Sequence, residues 1–144
     1  MRFLLDTDHI SFLQRKSDIE HEILIRRIRN YSPDDFAFSI ISFHEQIIGA
    51  HTYIIRSQNS ENLYKGYRLL QQIINSFSEA RILDFEKDAI AIFQQLKNQK
   101  IGVSTMDLRI ASIALSRNLI LLTRNQKDFT KIPNLIIEDW TQIT

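Results

Sequence analysis

The stretch Phe3-Leu4-Leu5-Asp6-Thr7-Asp8-His9 decides the fold, because three apolar residues run straight into two carboxylates and an imidazole. A continuous apolar run ended by polar residues is the mark of a short strand covered on both faces, whereas a half-exposed strand alternates. Asp6 to His9 then stand where that strand leaves the core, with Asp8 and His9 opening a helix. Comparable short runs recur at 36–39, 81–83, 120–122 and 135–137. Helical spacing fills the intervals: Ile47, Ile48, Ile54 and Ile55 mark one amphipathic helix, Leu63, Tyr67, Leu70, Ile74 and Phe77 a second, and Ile110, Ile113 and Ala114 a third. Strands separated by helices of this length imply parallel pairing through right-handed crossovers. The expected fold class is α/β, a three-layer α/β/α sandwich around a parallel, five-stranded sheet. Ser57 to Glu61 reads as a polar break between two helices rather than a linker. Residues 1–144 are therefore expected to form a single domain.

Composition narrows the chemistry. The 144 residues suffice for a core without disulfides or a structural metal, and 44% hydrophobic with 24% charged residues is the balance of a globular chain. The absence of cysteine excludes thiol nucleophiles, disulfides and thiolate zinc sites, and it suits a reducing compartment. No apolar run approaches the roughly 18 residues of a membrane span, and Asp6 and Asp8 interrupt the only N-terminal candidate for a signal sequence. A cytoplasmic protein with no membrane partner is expected. With a net charge of +1, any nucleic-acid binding must rest on local patches such as Arg26, Arg27 and Arg29, Lys65 and Arg68, or Arg124, Lys127 and Lys131. The first of these follows Asp18, Glu20 and Glu22, and it reads as the basic end of a solvated helix.

In an open parallel sheet, ligands bind outside the carboxyl ends of the strands. Four acids fall near such ends: Asp6 after the first strand, Glu45 after the second, Asp107 in the segment before the fourth, and Asp128 after the fourth. Each has a plainer explanation. Asp6 suits a helix N-cap, Ser42-Phe43-His44-Glu45 has the capping-box pattern, Ser104-Thr105-Met106-Asp107 its acidic variant, and Asp128 a turn. Capping alone, however, would not bring four acids to one sheet edge. Two carboxylates about 4 Å apart repel by roughly 4 kcal/mol at an effective dielectric near 20, so a cluster calls for a counter-ion or shared protons. Oxygen-only ligands favour Mg²⁺ or Mn²⁺ over zinc.

Other chemistries lack their residues. With three glycines in the chain there is no phosphate-binding or dinucleotide loop and no nucleophile elbow. His44-Glu45-Gln46-Ile47-Ile48 resembles half of a zinc-protease helix, but Ile48 stands where the second histidine is required. His44 and His51 are two helical turns apart, about 10 Å of rise, too far to share a metal. His9 and His21 read as surface or partly buried residues.

Four stretches together carry a family resemblance. "LLDTDHIS", "SIISFHEQIIGA", "IGVSTMDLRIASIAL" and "LLTRNQKDF", the last followed by "IIEDW", resemble the signature segments of PIN-domain ribonucleases of the VapC toxin type. The resemblance implies a five-stranded PIN-like fold, an acidic site for Mg²⁺ or Mn²⁺, and endonucleolytic cleavage of an RNA substrate, commonly tRNA or ribosomal RNA. It also implies neutralisation by a cognate antitoxin and a homodimer. By motif position, Asp6, Glu45 and Asp107 would be the core acids and metal ligands. The fourth catalytic position falls to Asp128 or to Asn125, with Thr123 supporting the ligands from behind, and one ion or two are both compatible. The attacking group implied is water, leaving a 5′-phosphate and a 3′-hydroxyl. A DNA-directed nuclease using the same metal chemistry and a non-catalytic PIN-fold interaction module remain the alternatives.

Overall fold

The computed structural model describes residues 1–143. Its elements are β1 (Phe3–Leu5), α1 (Thr7–Gln14), α2 (Ile19–Ile28), a 3-10 turn (Pro33–Asp35), β2 (Phe36–Ser39), α3 (Ile40–Ile55), α4 (Ser60–Ser78), β3 (Ile82–Leu83), α5 (Lys87–Asn98), α6 (Thr105–Ser116), β4 (Ile120–Leu122), α7 (Gln126–Phe129) and β5 (Ile137–Glu138). The five strands form one parallel sheet in the order β3-β2-β1-β4-β5. The expected three-layer α/β class is what the chain adopts.

The sandwich explains why β1 is apolar throughout. Leu4 points to one face with Ala37, Leu121, Phe93, Ile110 and Ile113, while Phe3 and Leu5 point to the other with Ile10, Leu24, Ile73, Phe77 and Trp140. Both faces are covered, α5 and α6 packing on the first and α1, α2 and α4 on the second. All three β1 side chains are therefore buried. Helix α2 carries Glu20 and Glu22 in its first turn and Arg26 and Arg27 in its last, complementing its macrodipole as expected. Arg27 turns away from the acids of its own helix, lying 4.7 Å above the Trp140 ring and 3.6 Å from Glu138.

Several details differ from the sequence reading. The third and fifth strands are Ile82–Leu83 and Ile137–Glu138 rather than 81–83 and 135–137, because short strand ends are set by pairing with β2 and β4. Helix α5 has no counterpart among the helices named from sequence, although Ala89, Phe93 and Leu96 form its buried stripe at helical spacing. Ser42 is not a cap: α3 begins at Ile40, and the Ser42 amide donates to the true N-cap, Ser39 Oγ, at 3.0 Å. Glu45 thereby lies in the second turn of α3, where it satisfies no helix-end amide.

Helices α3 and α4 cross closely at Gly66. A Cβ there would lie 2.5 Å from Ile54 Cγ1 and 3.2 Å from Tyr53 Cδ1. Alanine would gain about 0.5–1 kcal/mol in helix propensity but overpack the crossing at about 1–3 kcal/mol. Gly66→Ala is expected to lower the unfolding free energy by roughly 1 kcal/mol net. Its chemical denaturation midpoint decides the matter: a higher midpoint than wild type would mean that the helix crossing yields freely.

Candidate active site

The strand order reverses at β1, whose neighbours β2 and β4 lead into connections on opposite sides of the sheet. Such a switch point opens a crevice beyond the carboxyl ends of the strands. Asp6 stands at that edge, directly after β1. Its backbone amide still donates to Leu122 O at 2.9 Å, continuing the β1–β4 ladder, while its side chain caps α1 by accepting from Thr7 N at 2.8 Å. The second carboxylate oxygen accepts from Thr123 Oγ1 at 2.7 Å. Asp6 is thus both the cap suggested by its position and a carboxylate held rigidly, only 6% exposed.

Glu45 reaches the same crevice from α3. Thr7 Oγ1 lies 2.9 Å from both Glu45 Oε1 and Ser42 Oγ, so the hydroxyl next to Asp6 ties α3 to α1. Ser104 N-caps α6, accepting the Asp107 amide at 3.2 Å, so the capping pattern there is real. The Asp107 carboxylate is nonetheless free of helix-end amides and points to Asn125, whose Nδ2 lies 3.3 Å from Asp107 Oδ2 and 3.2 Å from Asp128 Oδ2. The Asn125 amide therefore bridges the Asp107 and Asp128 carboxylates. Thr123, fully buried, joins Asp6 to this turn by accepting from Asn125 N at 3.0 Å.

The sequence reading gave Asp8 only the start of α1 and left Thr7 without a role, yet both belong to the assembly. Asp8 Oδ2 accepts from Arg124 N at 2.9 Å, and its charge reaches Asp6, Glu45 and Asp107. His9, expected at the surface or partly buried, is wholly buried beside Asp8.

The electrostatics are those of an unneutralised anionic site. Burial, then the Asp8 and Asp107 charges, push the Asp6 carboxyl up to about 7 despite the hydrogen bonds from Thr123 and Thr7. Burial first, and then Asp107 and Asp8, raise Glu45; burial first, and then Asp128 and Asp8, raise Asp107. Among the described residues no Arg or Lys pairs with these three, while Lys131 lies 3.6 Å from Asp128. A bound cation would relieve this repulsion. No three Asp, Glu or His side chains among the described residues close into a preformed cage. An open site of one or two carboxylates completed by water is how a hard ion of the Mg²⁺ class is commonly held, so the oxygen-only donor set fits one.

The pH dependence follows in sign. Because the folded Asp6 carboxyl titrates near 7 against an ordinary 3.8, the folded chain holds a proton that the unfolded chain has lost. The penalty is absent below about pH 4 and complete above about pH 7, so stability falls as pH rises through that window. In EDTA, the melting temperature at pH 5 is expected to exceed that at pH 8; equal values would contradict the buried-carboxylate picture.

Comparison with known proteins agrees with this geometry. Residues 3–135 match the family model described as PIN domain. Ribonuclease VapC1 of Haemophilus influenzae is 33% identical over 99% of this chain and all of its own. The tRNA(fMet)-specific endonuclease VapC of Salmonella typhimurium is 29% identical over 97% of this chain and 98% of its own. Among solved structures, the DNA-bound VapBC of Salmonella typhimurium superposes with a TM-score of 0.77 at 28% identity, covering 97% of this chain and 98% of that one.

Proposed function

This chain belongs to the PIN-domain family, among its VapC ribonucleases, and from that premise we propose that it is a metal-dependent endoribonuclease acting as the toxin of a toxin–antitoxin pair. The observation that carries the reading is the convergence of Asp6, Glu45 and Asp107, from β1, α3 and α6, on one acidic crevice without a neutralising cation. Mg²⁺ or Mn²⁺ is the ion that suits these oxygens. Asp6 and Asp107 are the residues to hold it, with Glu45 as a third ligand or water-orienting group. The chemistry such an ion supplies when bound is charge neutralisation at the phosphate and acidification of water.

The chain's own residues do the remaining work. Thr7 occupies Glu45 Oε1, leaving Oε2 to orient the attacking water, and the raised proton affinity of Glu45 suits it to accept a proton. Asn125 holds Asp107 and Asp128 apart at a fixed spacing, so that Asp128 can orient water or help hold a second ion. Asp6 cannot swing, because both of its oxygens are hydrogen-bonded. Water-driven hydrolysis would leave a 5′-phosphate and a 3′-hydroxyl.

The named specificity of the Salmonella relative supports tRNA as the first RNA to test. The VapBC complexes support a cognate antitoxin as partner. Ile48, Ile55, Tyr64, Tyr67 and Ile74 on the α3–α4 hairpin are exposed, which supports a further apolar contact such as a homodimer. No helix among the described residues is long and apolar enough to cross a membrane, and a cytoplasmic site of action suits the cysteine-free chain and an RNA substrate. Incubation with labelled tRNA, ribosomal RNA and single- and double-stranded DNA, in Mg²⁺ or Mn²⁺ and in EDTA, tests the proposal. RNA should be cut only with metal. Preferential cutting of DNA, or cleavage undiminished in EDTA, would overturn it.

A further inference from the structure

We infer that Asp8 is a positioning residue: locked from behind by His9, it holds the turn from Thr123 to Asn125 and thereby sets Asn125 between Asp107 and Asp128. The inference rests on reading that acid cluster as the nuclease centre.

The hydrogen-bond directions require it. His9 is wholly buried, and the Trp140 amide donates to its Nε2 at 3.1 Å. Since that nitrogen must present a lone pair, the proton of the neutral ring sits on Nδ1, which donates to Asp8 Oδ1 at 2.7 Å. Asp139 Oδ1, 3.7 Å from Nε2, is too distant to compete and is already engaged by the Thr141 amide and hydroxyl at 2.8 and 2.6 Å. The other oxygen of Asp8 accepts the Arg124 amide at 2.9 Å, with Thr123 Oγ1 at 3.3 Å. Asp8 thus accepts from both sides, and only a carboxylate accepts through both oxygens without donating.

What it holds is the link to the acids. Arg124 stands between Thr123, which donates to Asp6, and Asn125, whose amide group reaches Asp107 and Asp128. The Arg124 guanidinium packs over the Phe12 ring at 5.3 Å, so the turn is pinned by its backbone to Asp8 and by its side chain to α1. Ligand-supporting groups of this kind must keep their partners within a fraction of an ångström. Partners behind the ligands typically contribute about 10–100-fold to metal affinity or activity.

Three variants separate positioning from a merely structural role. Asp8→Asn offers one acceptor and one donor where two acceptors are needed, so either the His9 ring N–H or the Arg124 amide faces an NH₂ group. His9→Asn keeps a donor at the Nδ1 position and loses the acceptor for Trp140; His9→Gln keeps the acceptor at the Nε2 position and loses the donor to Asp8. Amide hydrogen exchange at Arg124 and Asn125 and steady-state RNA cleavage in Mg²⁺ are measured for each, with near-ultraviolet circular dichroism of Trp140 as the folding check. Asp8→Asn is expected to lower kcat about 10–100-fold at near-constant KM and to speed exchange at both amides. His9→Gln should follow it, with kcat about tenfold below that of His9→Asn. Wild-type exchange and kcat in folded Asp8→Asn, or the reverse ranking of the two His9 variants, would overturn the inference. If the wild-type chain cuts no RNA, the nuclease reading fails, while the exchange ranking still decides whether Asp8 holds the turn.

Discussion

Asp6→Asn should abolish RNA cleavage while raising the melting temperature of the metal-free protein at pH 8. The two effects have opposite signs because they have different causes. Cleavage is lost because Asp6 is the residue proposed to hold the ion, so the amide removes both a ligand and its charge from the reacting site. The stability gain comes from removing a buried charge whose carboxyl is pushed up to about 7 by burial and by Asp8 and Asp107. At about 1.4 kcal/mol per pKa unit, the displacement from 3.8 caps that gain on the order of 4 kcal/mol. An amide retains the local structure: its oxygen still accepts the Thr7 amide and its NH₂ donates to Thr123 Oγ1, whose own proton then turns to Asp8. Melting in EDTA and a cleavage assay on one preparation read both effects. A clear fall in melting temperature would mean that capping α1 is the main role of Asp6; retained cleavage would remove it from the active centre.

Mg²⁺ or Mn²⁺ should raise the melting temperature of the wild-type chain, and Asp107→Ala should remove most of that rise. An ion that binds only the folded state adds RT ln(1 + [L]/Kd), about 2.7 kcal/mol at a hundredfold excess over Kd. For a domain of this size, that corresponds to roughly 5–10 °C. Asp107 is half-buried, with no cation paired to it among the described residues, so its removal takes away both a ligand and part of the repulsion the ion relieves. The alanine variant should therefore melt at least as high as wild type in EDTA and respond little to metal. Equal metal-induced shifts in the two proteins would show that Asp107 does not bind the ion.

The candidate acids were legible because each lies at or within two turns of the end of a strand or the start of a helix, and strand ends are where a parallel sheet collects its chemistry. The capping patterns were legible too, but they were uneven guides. Ser104 caps α6 as its spacing suggests, whereas Ser42 does not cap α3, since the chain enters that helix at Ser39. A four-residue pattern recurs at every helical turn, and only the backbone path from β2 selects which turn is the first. The same limit hid Thr7, whose partner Glu45 is 38 residues away, and Asp8, whose partner Arg124 is 116 away.

The sequence by itself determined the fold class and the candidate acids, because apolar periodicity and strand-end carboxylates are local properties, readable within a few residues. It also restricted the chemistry to oxygen ligands, because a chain without cysteine and with few, scattered histidines has no other set to offer. The tertiary structure alone decided how the acids are held: Thr123 against Asp6, Asn125 across Asp107 and Asp128, and His9 behind Asp8. Thr123 meets Asp6 only when β1 and β4 pair, and His9 is fixed behind Asp8 only when the Trp140 amide closes onto its ring. Hydrogen-bond direction, burial and mutual repulsion depend on distances of a few ångströms, and the contacts that fix them include pairs far apart in the chain, such as Thr123 with Asp6, Arg124 with Asp8 and Trp140 with His9, which no local pattern encodes.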